Sequence, residues 1–210
     1  MIKLEIVRMS NDFLVASQRP SEGKTRSPLA DAEKPPVTID PGVIVTEMTT
    51  LGFLVVRAKS EQWAGIETAL DCNLPIVPLS SLVHGELCIR WMSPTEWLVT
   101  LPAESLIDLE IKLREKGGGQ IAVVDNSGGF VCIHLYGPAA ELVIRKSTSY
   151  DIHSSNFPLN KVVSTTFAQS QAFLRRIGDL RFELIFRRSF ADYIWRWLLD
   201  ASMEYGLRLD

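Results

Sequence analysis

Hydrophobic spacing along the chain changes period several times, and each change marks an element. Between Arg188 and Gly206, the segment RSFADYIWRWLLDASMEYG places Phe190, Tyr193, Ile194, Trp197, Leu198, Ala201 and Tyr205 on one broad face. That is the i, i+3, i+4, i+7 spacing of an amphipathic helix. Ser189 with Asp192 three residues on predicts an N-terminal cap, and Gly206 predicts the left-handed residue that ends the helix. Roughly opposite this stripe stand Trp195, Leu199 and Met203, with Asp192, Arg196, Asp200 and Glu204 between the two on one flank. A solvated back face does not carry a Trp, which buries on the order of 150–250 Å² when covered. Two coverings fit: an internal sandwich between layers, or a permanent subunit interface, where aromatic residues and Met are enriched.

Upstream, GFLVVRA (52–58) reads as a strand and SEQWAGIETAL (60–70) as a helix. ELCIRWM (86–92) and EWLVTLP (96–102) read as strands joined by Ser93-Pro94-Thr95, followed by the helix AESLIDLEIKLREK (103–116) and the strand GQIAVVD (119–125). The order β-α-β-β-α-β is the split βαβ arrangement, with two helices on one face of an antiparallel sheet. A second round follows. FVCIHLYG (130–137) is a strand, and GPAAELVIRKS a helix capped at Gly137 with Pro138 in its first turn. VVSTTFA, AFLRRIG and RFELIFRR are strands that lead into the terminal helix. The expected fold class is therefore α+β: two ferredoxin-like halves with antiparallel sheets, at about 43–126 and 127–210, in a single domain. Residues 1–42 stand apart. ASQRPSEGKTRSPLADAEKPPVTIDPG (16–42) is rich in Pro, Ser and charge, and reads either as a strap laid over a partner or as a mobile tail.

Charge narrows the partners. A net charge of -3 with no dense Lys/Arg run gives no footprint for nucleic acid or an anionic membrane. No apolar run approaches the roughly 18–20 residues of a membrane span, and Lys3, Glu5, Arg8 and Asp12 break up the opening segment. Cys72, Cys88 and Cys132 are odd in number and lack CxxC spacing, so neither a disulfide framework nor a thiolate metal site is expected, and a reducing cytoplasm fits. His84, His134 and His153 occur in no metal-binding arrangement. His134 reads as a packed strand residue and His153 as a loop residue that orients backbone. Gly117, Gly118 and Gly119 follow a helix and precede a strand, the reverse of a phosphate-binding loop, and so mark a helix stop. The glycines of DNSGGF (125–130) make a turn between strands. No nucleophile elbow or triad emerges; the expectation is no catalytic residue and no metal.

Two stretches carry a family resemblance. VDNSGGFVCIHLYGPAAELVIRKSTSYDIHSSNFP (124–158) and GDLRFELIFRRSFADYIWRWLLDASMEYG (178–206) resemble the gamma subunit of heterotetrameric sarcosine oxidase, itself similar to the folate-binding domain of glycine-cleavage aminomethyltransferases. The shared features are a VD-S turn, an L-L-GP junction, a DLH-then-FP loop and an RSFA-YLW-WLL-A helix, with MSPTEWLVTLP (92–102) similar to the family's GPDEWLLL hairpin. Ser147, Thr148 and Ser149 stand where the family often has Gly-Cys-Pro.

The resemblance implies a non-catalytic structural and assembly subunit, with alpha, beta and delta subunits as partners. FAD, FMN, NAD and tetrahydrofolate would be held by other subunits and none by this chain alone. It also implies that Glu183 stands where aminomethyltransferases contact the folate pterin, a role that suits a carboxylate because it accepts two parallel hydrogen bonds. The plainer reading of Glu183 is an outward residue on an alternating strand, paired with a nearby Arg. Three functions follow for comparison: an oxidase subunit with Trp195, Leu199 and Met203 at its interface, a stand-alone tetrahydrofolate-binding protein, and a ferredoxin-like regulatory module.

Overall fold

The computed structural model describes residues 26–35 and 40–210. The chain forms β1 (Val43–Glu47), β2 (Leu51–Arg57), α1 (Trp63–Leu70), β3 (Ser81–His84), β4 (Leu87–Ser93), β5 (Glu96–Pro102), α2 (Leu106–Gly117), β6 (Ala122–Asp125) and β7 (Phe130–Tyr136). It continues with α3 (Ala140–Ser147), β8 (Val162–Phe167), β9 (Ser170–Gly178), β10 (Arg181–Arg187), α4 (Ala191–Ala201) and β11 (Leu207–Leu209). Two sheets result. One has five strands in the order β3-β4-β5-β2-β6, the other six in the order β11-β1-β7-β10-β9-β8. Apart from the parallel β1–β11 pair, all the pairings are antiparallel.

Strand alternation distributes the side chains into three cores. On the outer face of the five-stranded sheet, Leu54, Val56, Ile89, Trp97 and Val99 pack against Ile66 and Leu70 of α1 and Leu106, Leu109 and Leu113 of α2. On the outer face of the six-stranded sheet, Val131, Ile133, Leu135, Phe182, Leu184 and Phe186 pack against α3 and α4. The odd-and-even partners of these residues, Phe53 and Leu98 from one sheet and Phe130, Cys132 and Ile185 from the other, meet in a third core between the sheets. The layers therefore run helices, sheet, sheet, helices. This accounts for strands such as β5 and β10, which are apolar on both faces rather than one.

The two-half reading holds in outline, with one exchange of material. By sequence β1 belongs to the expected first half, but it lies in the sheet of the second, between β7 and β11. Ile44 pairs with Tyr136 while Val43 pairs with Leu207. Its entry is a close crossing. Gly42 donates to the Tyr205 carbonyl (2.7 Å) and accepts from Ala139 (2.9 Å). Gly137 there has φ +120, and a Cβ on it would stand 2.6 Å from the Gly42 oxygen. Only glycine meets both conditions. The short strands β1, β3 and β11 were not expected from the pattern, because three to five residues give too few alternations to register.

The terminal helix also differs from expectation. It runs Ala191–Ala201 after a 3-10 turn at Arg188–Phe190, with no side-chain cap from Ser189. Gly206 does take the left-handed conformation, φ +72, but after a further turn. The buried stripe is Ala191, Ile194, Trp195, Leu198 and Ala201, so it is rotated toward Trp195, leaving Phe190 and Tyr193 partly exposed. Trp195 is 1% exposed. What covers it is the chain's own arm: Leu29 is buried in the same core, Ala32 packs on it, and the Trp195 indole donates to the Glu33 carbonyl (2.7 Å). Ser27 anchors this arm through its side-chain bond to Glu47, and Arg188 reaches the Arg26 carbonyl. Within residues 26–35 the Pro-rich segment is a strap over its own helix.

The strap's contribution is measurable. Leu29→Ala should lower the unfolding free energy by about 2–4 kcal/mol and shift tryptophan emission to the red, followed by urea denaturation. Met203→Ala, at a residue 78% exposed, should stay within about 0.5 kcal/mol of the parent.

Candidate functional site

Charge in the interior concentrates at one point between the two sheets. Strand β10 alternates so that Phe182, Leu184 and Phe186 face the helices, which sends Glu183 the other way, into the inter-sheet layer. By the same alternation, β9 sends Arg175 inward and β4 sends Arg90 inward, flanked by Cys88. The three meet. Arg90 donates from Nε to Glu183 Oε1 and from Nη2 to Oε2, both at 2.8 Å. Arg175 donates from Nε and Nη2 to the same two oxygens, both at 3.0 Å. Two guanidinium forks thus clamp one carboxylate, the planar bidentate geometry that arginine alone supplies. Arg90 spends its remaining Nη1 on the Cys88 carbonyl (3.2 Å) and Thr100 Oγ1 (3.0 Å).

Arg90, Arg175 and Glu183 are all buried, at 0%, 6% and 3% exposed. Burial alone would raise the Glu183 pKa; the charges of Arg90 and Arg175 and their hydrogen bonds outweigh it and hold the carboxyl well below the usual range. The His134 Nε2 stands 3.8 Å from Oε2, beyond hydrogen-bond distance. Burial, and then the Glu183 charge, pushes the Cys132 thiol well up, and burial raises that of Cys88 against the lowering charges of Arg90 and Arg175. Both therefore stay protonated and are poor nucleophiles. Cys132, His134 and Glu183 offer ligand atoms within 4.8 Å of one another. This donor set does not suit a cation: the thiol is protonated, the carboxylate is fully engaged, and two guanidinium charges already sit on it.

The remaining candidates fall elsewhere. Glu183 is neither outward nor free: its oxygens accept four hydrogen bonds from two arginines, so a pterin would have to displace one of them. Trp195 is not available to a partner, because the arm covers it. Leu199 is half-buried and Met203 exposed, and both line a surface groove with Glu33, Pro35 and Leu207. His84 ends β3 on the surface. His153 lies in a loop, its Nδ1 2.8 Å from Ser155 Oγ. Gly118 ends α2 with φ +74, and Ser127 closes the turn before β7 by bonding Asp125 Oδ1 (2.6 Å) and accepting from Phe53 N–H (3.0 Å).

The sequence reading gave Glu183 an Arg partner without naming Arg90 or Arg175, although a signal for them was there. Arg90 holds an inward position between Cys88 and Met92. Arg175 and Arg176 are adjacent in a strand, so one of them must face each way. Arg176 is buried on the helix side, against the Phe182 ring (4.7 Å) and bonded to the Ile152 carbonyl (2.6 Å).

Breaking the clamp strands buried charge, so Glu183→Gln should cost about 3–5 kcal/mol in chemical denaturation. The pH dependence has a fixed sign. Glu183 is depressed in the folded state, so its contribution is complete above the unfolded carboxyl value near ~4.3 and is lost as pH falls below it toward the folded value. Denaturant midpoints of the parent measured below about pH 4 should fall more steeply than those of Glu183→Gln.

Comparison with known proteins places this architecture. The sarcosine oxidase gamma subunit family matches residues 57–204. The gamma subunit of an Arthrobacter sarcosine oxidase is 31% identical over 168 residues, 78% of this chain and 82% of that one. That of Corynebacterium sp. (strain U-96) is 28% identical over 205 residues, covering 94% and 98%. Among solved structures, a chain of heterotetrameric sarcosine oxidase from Corynebacterium sp. U-96, in complex with pyrrole 2-carboxylate, superposes with a TM-score of 0.78 at 27% identity, covering 86% of this chain and 96% of that one. The glycine cleavage system aminomethyltransferase T from Bartonella henselae shares the fold at a TM-score of 0.58 and 16% identity, over 81% of this chain and 48% of that one. With the family model spanning most of its length, and with one relative 31% identical over 78% of this chain and another matched nearly end to end, the chain belongs to the sarcosine oxidase gamma subunit family.

Proposed function

We propose that this chain is a non-catalytic structural and assembly subunit of a heterotetrameric, flavin-dependent oxidase of sarcosine (N-methylglycine). Its partners would be alpha, beta and delta subunits, which would hold FAD, FMN, NAD and tetrahydrofolate between them, with assembly in the cytoplasm. One observation carries the non-catalytic part. The chain's concentrated set of ionisable groups is a closed clamp: Glu183 has no unengaged oxygen, both nearby thiols are protonated, and the arginines are sealed between sheets. Such a set can stiffen a scaffold but offers no base, nucleophile or ligand to a small molecule. Leu199 and Met203, on the groove beside the arm, form part of the contact with a partner subunit. Among the described residues no helix is long and apolar enough to cross a membrane.

The resemblance of GDLRFELIF to an aminomethyltransferase strand, rather than the shared fold, puts forward tetrahydrofolate binding at Glu183 as a second reading. It would require Arg90 or Arg175 to let go.

Co-expression with the other oxidase subunits of the same organism should yield a complex from which a tag on this chain recovers flavin in fixed ratio; recovery of the chain alone rejects the subunit role. Calorimetric titration of the isolated chain with tetrahydrofolate should give no binding heat, and a saturable heat lost in Glu183→Gln would favour the second reading instead.

A further inference from the structure

We infer that the open end of the inter-sheet layer is a binding site for a small aromatic phosphate, its ring held by Phe130, Phe173 and Met92 and its phosphate by Arg187 and Arg188. The site goes beyond the subunit role and uses none of the clamp residues. Arg187 lies four residues along β10 from Glu183 and on the same inward side, on the order of 13 Å away at ~3.3 Å per residue. Where the clamp seals the layer, this end stays open: a cleft of about 290 Å³ runs between the β4–β5 hairpin and the ends of β7, β8, β9 and β10.

The floor of the cleft is apolar and aromatic. Phe130 and Phe173 meet edge to face with ring centroids 6.2 Å apart, and Met92 adds to them from the five-stranded sheet. A volume at the lower end of ligand pockets suits one ring. The polar groups of the rim differ in what they have left to give. Ser164 accepts from Gln171 (3.0 Å), Ser93 accepts from the Thr95 N–H (3.4 Å), and Glu96 is ion-paired with Arg57 (Nε to Oε2, 2.9 Å). By contrast, the Arg187 side chain donates to no described residue, and its guanidinium lies over the Phe130 ring at 4.9 Å. Its fork of N–H donors is unspent at the mouth of the cleft.

The positive charge beside the cleft is doubled. Arg187 shares an adjoining hollow with Arg188, Ser189, Gly128 and Gly129. Arg188 is held there by its N–H, which donates to the Gly129 carbonyl (2.9 Å), and by its guanidinium, which donates to the Arg26 carbonyl. Among the described residues, neither arginine forms an ion pair with a carboxylate. Asp125, the acid of the neighbouring turn, accepts from the Ser127 N–H (2.9 Å) and hydroxyl (2.6 Å). Two unmatched guanidinium groups side by side call for an oxoanion. A carboxylate matches one of the charges, whereas a phosphate monoester, with a charge of about -1.5 to -2 near neutral pH and three acceptor oxygens, matches both and takes the bidentate fork.

The test titrates the full-length chain by calorimetry with phenyl phosphate. Saturable binding is expected, at least about tenfold tighter than that of inorganic phosphate, benzyl alcohol or benzoate, which supply only the anion, only the ring, or a single charge. Arg187→Gln should weaken phenyl phosphate by at least about tenfold, the loss that follows removal of a charged donor. The position is exposed, so the variant should keep the parental circular dichroism; if it does not fold, Arg188→Gln replaces it with the same readout. Arg181→Gln, at the far end of β10 where the guanidinium stacks on Tyr136 (5.2 Å), should bind like the parent. No saturable binding by the folded parent up to ~10 mM ligand, or parental affinity in the folded Arg187→Gln, overturns the site. Benzoate binding as tightly as phenyl phosphate overturns its assignment to a phosphate. No other subunit is present in the titration, so each of these results leaves the subunit role standing.

Discussion

The Arg90–Glu183–Arg175 clamp fixes how the two sheets of this protein sit on each other. Apolar side chains such as Phe53, Leu98, Phe130 and Ile185 also fill the inter-sheet layer, but apolar contact tolerates sliding, whereas a bidentate clamp does not. Arg90 belongs to the five-stranded sheet, and Glu183 and Arg175 to the six-stranded one. A shift of one residue in β4 or β10 would turn a charged group onto a helix-packed face and leave its counter-charges buried and alone. The clamp therefore adds less to net stability than to the uniqueness of the arrangement, since apolar residues of the same volume can often match a buried ion network in free energy. Two guanidinium groups on one carboxylate leave a net positive charge inside, which Thr100 and the Cys88 carbonyl help to solvate.

That role changes the meaning of a carboxylate at position 183. Strand alternation places this glutamate on an inward position, and what it does there depends on its surroundings. With open space, it would be an acceptor for a ligand's paired donors. Here the paired donors come from within the chain. Site chemistry cannot be carried over from fold alone, and the two arginines are the physical reason in this case.

Much of the architecture was legible from the sequence. Long strands such as LGFLVVR and RFELIFR, the helices α1 to α4 and the turns at Gly118 and Ser127 all announce themselves through spacing and turn chemistry. Three things were not. β1, β3 and β11 are too short to show a period, and the partners of β1 lie far away in sequence. The covering of Trp195 was equally hidden, because the arm carries no periodicity of its own: it docks through one leucine, a backbone carbonyl and the Ser27 anchor. The clamp was missed because an arginine within a strand reads as outward unless both faces of the sheet are known to be covered. Arg175 and Arg176, adjacent and both buried, make that plain only once the second sheet is in place.

The exchange of β1 between halves bears on how the polypeptide comes off the ribosome. β1 finds its partners in β7 and finally in β11, so the first of the described strands is among the last to be enclosed. The five-stranded sheet can close as soon as β6 has emerged, but the six-stranded one keeps β1 waiting as a bare edge until β11 arrives beside it. During that interval the nascent chain carries a greasy, unpaired ribbon, the kind of edge that invites pairing with a stranger.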